Sequence, residues 1–382
     1  MSARILKITG KRIRDPLAVV KLGDFRLREA GTLDTAEALR DPRLSLYCLD
    51  GPRRRALYVR TPDSVDLTRE PFIWRAQRLH AEELVAIDLD ELDELADGME
   101  DPGDRITLLY SVGRCGSTLL SRAFHKAGCL SLSEPDVYTQ LLSWKMSPEQ
   151  GPLRLRRLTR VLLGGRGPRP AHLVLKFRSM CMEQAGMMHA AFPEARMLFL
   201  YRDAEAVVRS GMGAFCRFGS NLWLLHHFSR WAPLRPLLRS RLPRRLQMMR
   251  HWSPCVDLYD THEWSRMGAV GMLAVMWLSA MARCLALHEE RLPWTTLRYE
   301  DLIESPERIL AQVFQACGLP ASRVADAQRA LLEDSQRGSM VARATVRRWT
   351  LREADRRTIA EVLARHPCIR TPGFILPGTL RA

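Results

Sequence analysis

An apolar stretch, a loop of small residues and a helical pattern follow one another at residues 105–125. Residues 105–110 are an apolar run of strand length, and residues 119–125 carry the apolar spacing of a helix. The loop between them includes Gly113 and Gly116, which allow several backbone N–H groups to approach one anion, and the helix N-terminus adds partial positive charge. The segment predicts an α/β fold with an anion-binding loop. A turn without a ligand is the alternative.

The same alternation continues along the chain. Strands are predicted at 172–176, 196–201 and 294–299, with helices through residue 188, from about residue 203, at 268–290 and, two or three of them, at the C-terminus. Short apolar strands separated by helices are typical of a parallel sheet covered on both faces. The fold class predicted is therefore α/β, with a P-loop-like parallel sheet flanked by helices.

Two regions depart from this alternation. Residues 1–100 are predicted to form a small strand-rich N-terminal module of unknown role, with a hairpin at 44–60, a helix at 71–83 and an acidic surface helix before a linker. Residues 104–382 are predicted to form the P-loop-like domain. Within it, residues 211–265 are rich in Arg, Trp and Leu and are interpreted as a helical insertion.

A second anion-ready position follows the strand at 196–201. Arg202 stands at the carboxyl end of that strand, and Ser210 lies eight residues later in the next helix. Ligands of open α/β sheets bind outside the carboxyl ends of strands. Two such positions suggest a ligand with two separated phosphates. The alternative for Arg202 is a salt bridge to Asp203 or Glu205.

These segments resemble the sulfotransferases that use 3′-phosphoadenosine 5′-phosphosulfate (PAPS). Residues 111–120, SVGRCGSTLL, are similar to their 5′-phosphosulfate loop, and residues 199–210, FLYRDAEAVVRS, to their 3′-phosphate motif. Residues 297–307, LRYEDLIESPE, with CGLP at 317–320, are similar to a later segment of the family. The three motifs span about 105–320 in the family's order, and the loop is closer to the tyrosylprotein and bacterial types than to the cytosolic type.

The resemblance implies a co-substrate site and a reaction. The cofactor-binding residues it implies for PAPS are Gly113, Arg114, Cys115, Gly116, Ser117, Thr118, Arg202 and Ser210. It also implies that Arg114 neutralises the charge that develops on the bridging oxygen as the sulfuryl group leaves, a positioning and charge-stabilising role. No metal is expected. The acceptor implied is a hydroxyl of a small molecule or a lipid-like alcohol or phenol.

The resemblance also suggests a base. The cytosolic type uses a histidine in a Lys-x-His step, which is replaced here by Lys176-Phe-Arg178. The tyrosylprotein type uses a glutamate, and Glu134 matches its position, with Asp136 as a second choice. The catalytic residues predicted are thus Arg114, Glu134 and Lys176. The alternatives are that Glu134 caps or pairs with a neighbouring cation and that Lys176 is a solvated strand-end lysine.

Other parts of the family pattern are weak here. Leu119 replaces the tryptophan that follows the loop in cytosolic members, which leaves the adenine contacts unassigned. The family's Arg-Lys-Gly element has only a faint counterpart at 336–339, and Arg337, Arg347 or Arg348 is a candidate to complete the 3′-phosphate site.

Composition limits the cell-biological expectations. The net charge is +15, and only six of the 58 basic residues are lysines. Basic charge favours an anionic partner, but no nucleic-acid-binding signature appears, so nucleic acid is not expected.

No secretory leader is evident, and the longest apolar run, 268–282, is short for a transmembrane helix. The nine cysteines show no metal-binding spacing. These features predict a cytoplasmic protein without a transmembrane segment, of unknown oligomeric state.

Residues 220–252 interleave tryptophans and leucines with arginines. Three interpretations stay open: a solvated helical cap, a lid over an acceptor pocket, or a segment in peripheral contact with an anionic membrane surface.

Two rival functions of the whole protein also stay open. A P-loop kinase is disfavoured because no lysine precedes Ser117, as the Walker A motif requires. A non-catalytic nucleotide-binding or membrane-surface protein is the other.

Overall fold

The computed structural model describes residues 2–13, 15–163, 171–217, 220–339, 341–342 and 344–382. Residues 218–219 of the predicted insertion lie outside the described residues. The strands in these ranges are β1 (Ser2–Lys11), β2 (Phe25–Asp34), β3 (Leu44–Asp50), β4 (Arg55–Arg60), β5 (Glu83–Asp88), β6 (Ile106–Ser111), β7 (Leu130–Ser133), β8 (Leu173–Lys176), β9 (Arg196–Tyr201) and β10 (Trp294–Arg298).

The α-helices of the same ranges are α1 (Thr35–Arg40), α2 (Ile73–His80), α3 (Leu89–Asp97), α4 (Ser117–Lys126), α5 (Asp136–Leu141), α6 (Gln150–Leu163), α7 (Ala185–Ala191), α8 (Ala204–Phe215), α9 (Asn221–Arg230), α10 (Arg235–Met249), α11 (Thr261–Glu289), α12 (Tyr299–Glu304), α13 (Pro306–Cys317), α14 (Val324–Arg329) and α15 (Glu353–Ala364). Short 3₁₀ turns connect several of them.

The strands form two five-stranded sheets. The first has the order β2-β1-β5-β4-β3, and its strands pair antiparallel. The second has the order β10-β9-β6-β8-β7, with β9 parallel to β10 and β7 parallel to β8. Helices flank the parallel sheet. The predicted fold class, a parallel sheet flanked by helices together with a strand-rich N-terminal region, is confirmed.

The chain divides into two compact units that interleave along the sequence. The first comprises residues 1–108, 128–177 and 184–195, and the second comprises residues 109–127, 178–183 and 196–382. The first unit contains the antiparallel sheet, and the second contains the loop at 111–118 and the long helix α11. The domain boundary predicted between residues 100 and 104 stays a prediction.

The hydrophobic core of the antiparallel sheet surrounds a buried ion pair. Arg78 of α2 and Asp24 approach within 3.0 Å, and their side chains are only 3% and 6% exposed. The hydroxyl of Tyr47 donates a hydrogen bond of 2.7 Å to the same carboxylate, and burial raises the pKa of that hydroxyl. Two charges this far from water are tolerable only because each satisfies the other.

The structure corrects the prediction for residues 71–104. The hairpin at 44–60 is confirmed as β3 and β4, but the helix predicted over 71–83 ends at His80. Residues 83–88 instead form β5, which pairs with both β1 and β4. The four central residues of β5 are buried. Because acidic residues stand at both ends of this short apolar run, its composition resembles that of an exposed helix, and the strand was not predicted.

Acidic residues beyond β5 are matched by arginines of α6. The predicted surface helix corresponds to α3, whose outward carboxylates and the carboxylate of Asp101 meet three arginines spaced three residues apart. Spacing of three residues places side chains on one helix face. The pairs are Arg154 with Asp93, Arg157 with Asp93 and Asp97, and Arg160 with Asp101. Part of the chain's arginine excess is thus used in structural ion pairs.

The long helix α11 is the core helix of the second unit. It is the one helix within the described ranges that is long and apolar enough to cross a membrane by length and composition, and 67% of its most apolar window is buried inside the protein. It packs against α8, α9, α10 and α15. Gly268, with φ 59°, breaks the helix where Ser229 approaches so closely that a Cβ atom would lie 2.2 Å from its Oγ. The predicted helix start at residue 268 coincides with this break, and a further helical segment from Thr261 precedes it.

Several elements were not predicted. The short strand β7 and the helix α6 had no sequence assignment, and four α-helices rather than two or three follow β10 in the described residues. Strand β7 alternates Leu with Ser, as a strand does, but its four residues are the shortest length over which such alternation indicates a strand.

We predict that Arg78→Met lowers the free energy of unfolding by about 3 kcal/mol, because the substitution leaves the Asp24 carboxylate buried without its cation. Urea denaturation of the full chain measures the change. Arg4→Met is the matched control, since Arg4 pairs with Glu29 at 3.7 Å with both side chains more than half exposed. An exposed pair contributes roughly 0–1 kcal/mol. Equal effects of the two substitutions would contradict the assignment.

Candidate functional site

The loop between β6 and α4 has the backbone conformation of an anion-binding turn. Gly113, Arg114 and Gly116 all have positive φ, at 76°, 53° and 90°. Gly116 is the residue before α4, and no side chain caps the helix there. The N-terminus of this ten-residue helix, with glycine as its N-cap residue, adds the partial positive charge of the helix dipole to the loop, which favours an anion. A positive φ at the non-glycine Arg114 is the kind of local strain that accumulates at functional sites.

This loop is attached to the end of β9. The backbone N–H of Val112 and the thiol of Cys115 both donate to the carbonyl oxygen of Leu200, each at 3.3 Å. Leu200 lies two residues before Arg202. These bonds therefore bring the predicted phosphosulfate loop to the strand end from which the second predicted motif starts.

Arg114 joins the two motifs directly. Its Nε donates a hydrogen bond of 3.1 Å to Oγ of Ser210 in α8, and a terminal nitrogen donates one of 3.2 Å to Oε1 of Gln336. Its guanidinium carbon lies 5.8 Å from the centroid of the Phe215 ring. The resemblance implied separate roles for Arg114 and Ser210, at the transferred group and at the 3′-phosphate, and the structure places the two side chains in contact.

Tyr299 lies between the loop and Arg202. The guanidinium carbon of Arg202 is 4.4 Å from the centroid of the Tyr299 ring, a distance typical of a cation–π contact. On the loop side, a Cβ atom added to Gly116 would lie 2.5 Å from Cδ2 of the same ring. Gly116 is therefore required for a steric reason as well as for its positive φ. We call Gly113, Arg114, Gly116, Arg202, Ser210 and Tyr299 the loop–α8 site.

The alternative salt bridges for Arg202 are not observed. Asp203 accepts a hydrogen bond from the backbone N–H of Ala206 and so caps α8. Glu205 pairs with Arg356 at 3.2 Å. The carboxylate that approaches Arg202 is that of Glu300, at 3.9 Å from Nε, and it also accepts a hydrogen bond from the backbone N–H of Asp203.

Two residues that follow residue 335 contact the loop and α8. Gln336 contacts Arg114, as described above, and the backbone N–H of Arg347 donates to the carbonyl oxygen of Gly213 in α8 at 3.2 Å. A Cβ atom at Gly213 would lie 2.3 Å from the carbonyl oxygen of Arg347. The assignment of Arg337, Arg347 or Arg348 to a 3′-phosphate stays a prediction.

The first unit holds the predicted base. Glu134 follows β7 with a φ of 58°, and its backbone N–H donates to the carbonyl oxygen of Lys176 at the end of β8, at 2.6 Å. One carboxylate oxygen forms an ion pair with Nζ of Lys176, and the other accepts a hydrogen bond of 3.1 Å from Nε1 of Trp74. Two partners thus fix the orientation of this carboxylate.

Lys176 is not a solvated strand-end lysine. Its side chain is 2% exposed, and Nζ lies 5.3 Å from the centroid of the Phe72 ring. A buried ammonium group requires a counter-charge, which Glu134 supplies. The pairing with a cation that the sequence analysis left open for Glu134 is therefore present, and it is compatible with a positioned base. We call the two residues the Glu134–Lys176 pair.

Asp136, the second choice for a base, has a structural contact. It is 2% exposed, and its Oδ2 accepts a hydrogen bond of 2.9 Å from the backbone N–H of Val20.

Among the residues that the structure describes, no three His, Cys, Asp or Glu side chains form a group that could hold a metal ion. Burial lowers the pKa of His226 to about 4.

Four contacts of the site were missed from the sequence. Tyr299 and Gln336 stand in segments that were singled out, but neither had a role. Phe215, whose ring lies near Arg114, and Trp74, which donates to Glu134, belong to no motif or pattern that the sequence predicts to be functional. Trp74 is 60 positions from its partner and Gln336 is 222 positions from Arg114, so only the tertiary fold reveals these contacts.

We predict that Gly116→Ala disrupts the loop–α8 site, because the added Cβ meets the Tyr299 ring at a backbone conformation that already disfavours alanine. Thermal unfolding should show a larger loss of stability than for Gly318→Ala, the matched control. Gly318 has a φ of 71° but no atom within 4 Å of an added Cβ. Equal losses for both variants would show that the contact with Tyr299 is unimportant.

The overall structure is similar to two solved structures. Sulfotransferase STF9 from Mycobacterium avium matches with a TM-score of 0.40 and 16% identity over 75% of this chain and 82% of that protein. The sulfotransferase domain from the curacin biosynthetic pathway matches with a TM-score of 0.34 and 14% identity over 73% of this chain and 95% of that domain. No protein-family model and no curated protein matches the sequence. Both structures are described as sulfotransferases, the class that the motifs resemble, but TM-scores at this level carry no conclusion about activity.

Proposed function

We propose that the protein transfers a sulfuryl group from PAPS to the hydroxyl of a small-molecule or lipid-like alcohol or phenol. The observation that carries the proposal is the hydrogen bond of 3.1 Å between Nε of Arg114 and Oγ of Ser210. It supports the proposal because these residues come from the two motifs that the resemblance assigns to the 5′-phosphosulfate and the 3′-phosphate of one nucleotide.

The electrostatics of the loop–α8 site support an anionic ligand with more than one charged group. Arg114 and Arg202 supply two permanent positive charges, since a guanidinium stays protonated in proteins. The uncapped N-terminus of α4 adds a partial positive charge. Arg202 lies against the Tyr299 ring, and the same ring lies beside the loop at Gly116, so both arginines belong to segments that meet at this tyrosine.

The proposed reaction is an in-line displacement at sulfur. The acceptor oxygen forms a bond to sulfur while the bond between sulfur and the bridging oxygen breaks, and the bridging oxygen leaves with the electron pair as adenosine 3′,5′-bisphosphate. Arg114 stabilises the charge that develops on that oxygen. The acceptor's proton passes to the carboxylate of Glu134, and Lys176 positions that carboxylate.

We predict that adenosine 3′,5′-bisphosphate raises the melting temperature of the protein more than adenosine 5′-monophosphate does, because a ligand of the native state stabilises it by mass action. Arg202→Ala should abolish most of this difference. Differential scanning fluorimetry with both nucleotides measures it. Arg209→Ala is the matched control, since Arg209 is an exposed arginine of the same helix, one residue before Ser210.

Two outcomes would contradict the proposed binding of PAPS at this site. Equal losses for both nucleotides in Arg202→Ala would remove this residue from a 3′-phosphate site. Stabilisation by ATP but not by the bisphosphate, with phosphorylated product, would favour the kinase alternative.

We predict that Glu134→Gln lowers the rate of sulfuryl transfer by roughly 10²–10⁴-fold, the usual contribution of a general base, while binding of the bisphosphate is retained. Transfer of labelled sulfate from PAPS to a panel of phenols and alkyl alcohols measures the rate, and scanning fluorimetry measures binding.

Glu149→Gln serves as the control, because Glu149 is an exposed acid of the same unit. Full activity of the Glu134 variant would remove this residue from the base role. Loss of bisphosphate binding together with activity would show that the substitution acts on structure rather than on proton transfer.

A further inference from the structure

One long basic segment lies outside the loop–α8 site. Residues 217–256 contain eight arginines and no aspartate, glutamate or lysine. Helices α9 and α10 fall in this segment, together with the turn that connects them. In the acidic region 82–104, three carboxylates pair with arginines of α6. In this basic segment no carboxylate of the segment itself can neutralise the arginines.

Helix α10 presents two different stripes. Leu238, Leu242, Leu246 and Met249 are buried, and the helix packs against α11 and α9. The other stripe consists of Leu237, Arg241, Arg244 and Met248, whose spacing of four, three and four residues places them on one helix face. All four are exposed. We call them the outer stripe of α10.

The outer stripe is both apolar and basic. Leu237 is 43% exposed and Met248 is 63% exposed, and Trp231, just before the helix, is 68% exposed. Within the part of the chain that the structure describes, no carboxylate pairs with Arg241 or Arg244. Large exposed apolar side chains beside unneutralised arginines indicate an interaction surface rather than an ordinary solvated helix face.

We propose that the outer stripe of α10, with Trp231, docks the protein on a membrane surface that carries anionic phospholipids. Arginines bind phosphodiester headgroups through their forked N–H donors. Tryptophan, leucine and methionine insert shallowly at the boundary between headgroups and acyl chains, where tryptophan is favoured. A nucleic acid would satisfy the arginines but would leave the apolar side chains without a partner.

Vesicle flotation of the purified protein tests the proposal without any nucleotide or acceptor, so its outcome is independent of the proposed sulfuryl transfer. The protein should float with phosphatidylcholine vesicles that contain phosphatidylglycerol and not with pure phosphatidylcholine vesicles. High salt should weaken the binding, because surface electrostatic attraction is screened.

Two sets of variants locate the surface. Arg241→Glu with Arg244→Glu should lower the apparent affinity for the anionic vesicles roughly tenfold or more. Arg26→Glu with Arg28→Glu changes the net charge equally at two exposed positions of β2 and should have little effect. Trp231→Ser with Met248→Ser should also weaken binding, although the charge is unchanged.

The proposal is overturned if the wild-type protein does not bind the anionic vesicles, if it binds neutral vesicles equally well, or if both pairs of charge reversals reduce binding to the same extent. Binding to duplex DNA that depends on Arg241 and Arg244, with no binding to vesicles, would assign the surface to a nucleic acid instead. Circular dichroism and thermal unfolding of each variant verify that it is folded.

Discussion

The hydrogen bond between Arg114 and Ser210 is the contact on which the candidate site depends. Arg114 belongs to the loop that follows β6, and Ser210 belongs to the helix that follows β9. The loop is held to the end of β9 through Leu200, and Gly116 and Arg202 both contact the ring of Tyr299. The backbone and side-chain contacts thus bring two motifs, about 90 residues apart in the sequence, into one positively charged site.

Arginine has three distinct uses in this chain. In α6 it forms ion pairs with the carboxylates of α3 and Asp101, a structural use. In the loop–α8 site it lies against aromatic rings and polar side chains, at Arg114 and Arg202. At Arg241 and Arg244 of α10 it is exposed and lacks acidic neighbours in the sequence. The net charge of +15 alone distinguishes none of these uses, which is why a basic composition predicts an anionic partner without identifying it.

The sequence predicted the parts of the fold that have a strong local pattern. The strands at 106–111 and 196–201 and the helices that follow them combine apolar runs with glycine or a capping aspartate, as at Asp203. It failed at β5, because acidic residues flank a short apolar run, and at β7, which is only four residues long. Long-range contacts such as Trp74 with Glu134 and Gln336 with Arg114 leave no periodic trace in a single sequence.

The most direct test of the central claim is a double-mutant cycle on the binding of adenosine 3′,5′-bisphosphate, measured by isothermal titration calorimetry for the wild type, Arg114→Ala, Ser210→Ala and the double variant. Residues that contact each other and share a ligand show coupling of roughly 0.5–3 kcal/mol. The account predicts that both single substitutions weaken binding and that the double variant loses less than the sum of the two. Undiminished binding in both single variants would contradict it, as would strictly additive losses.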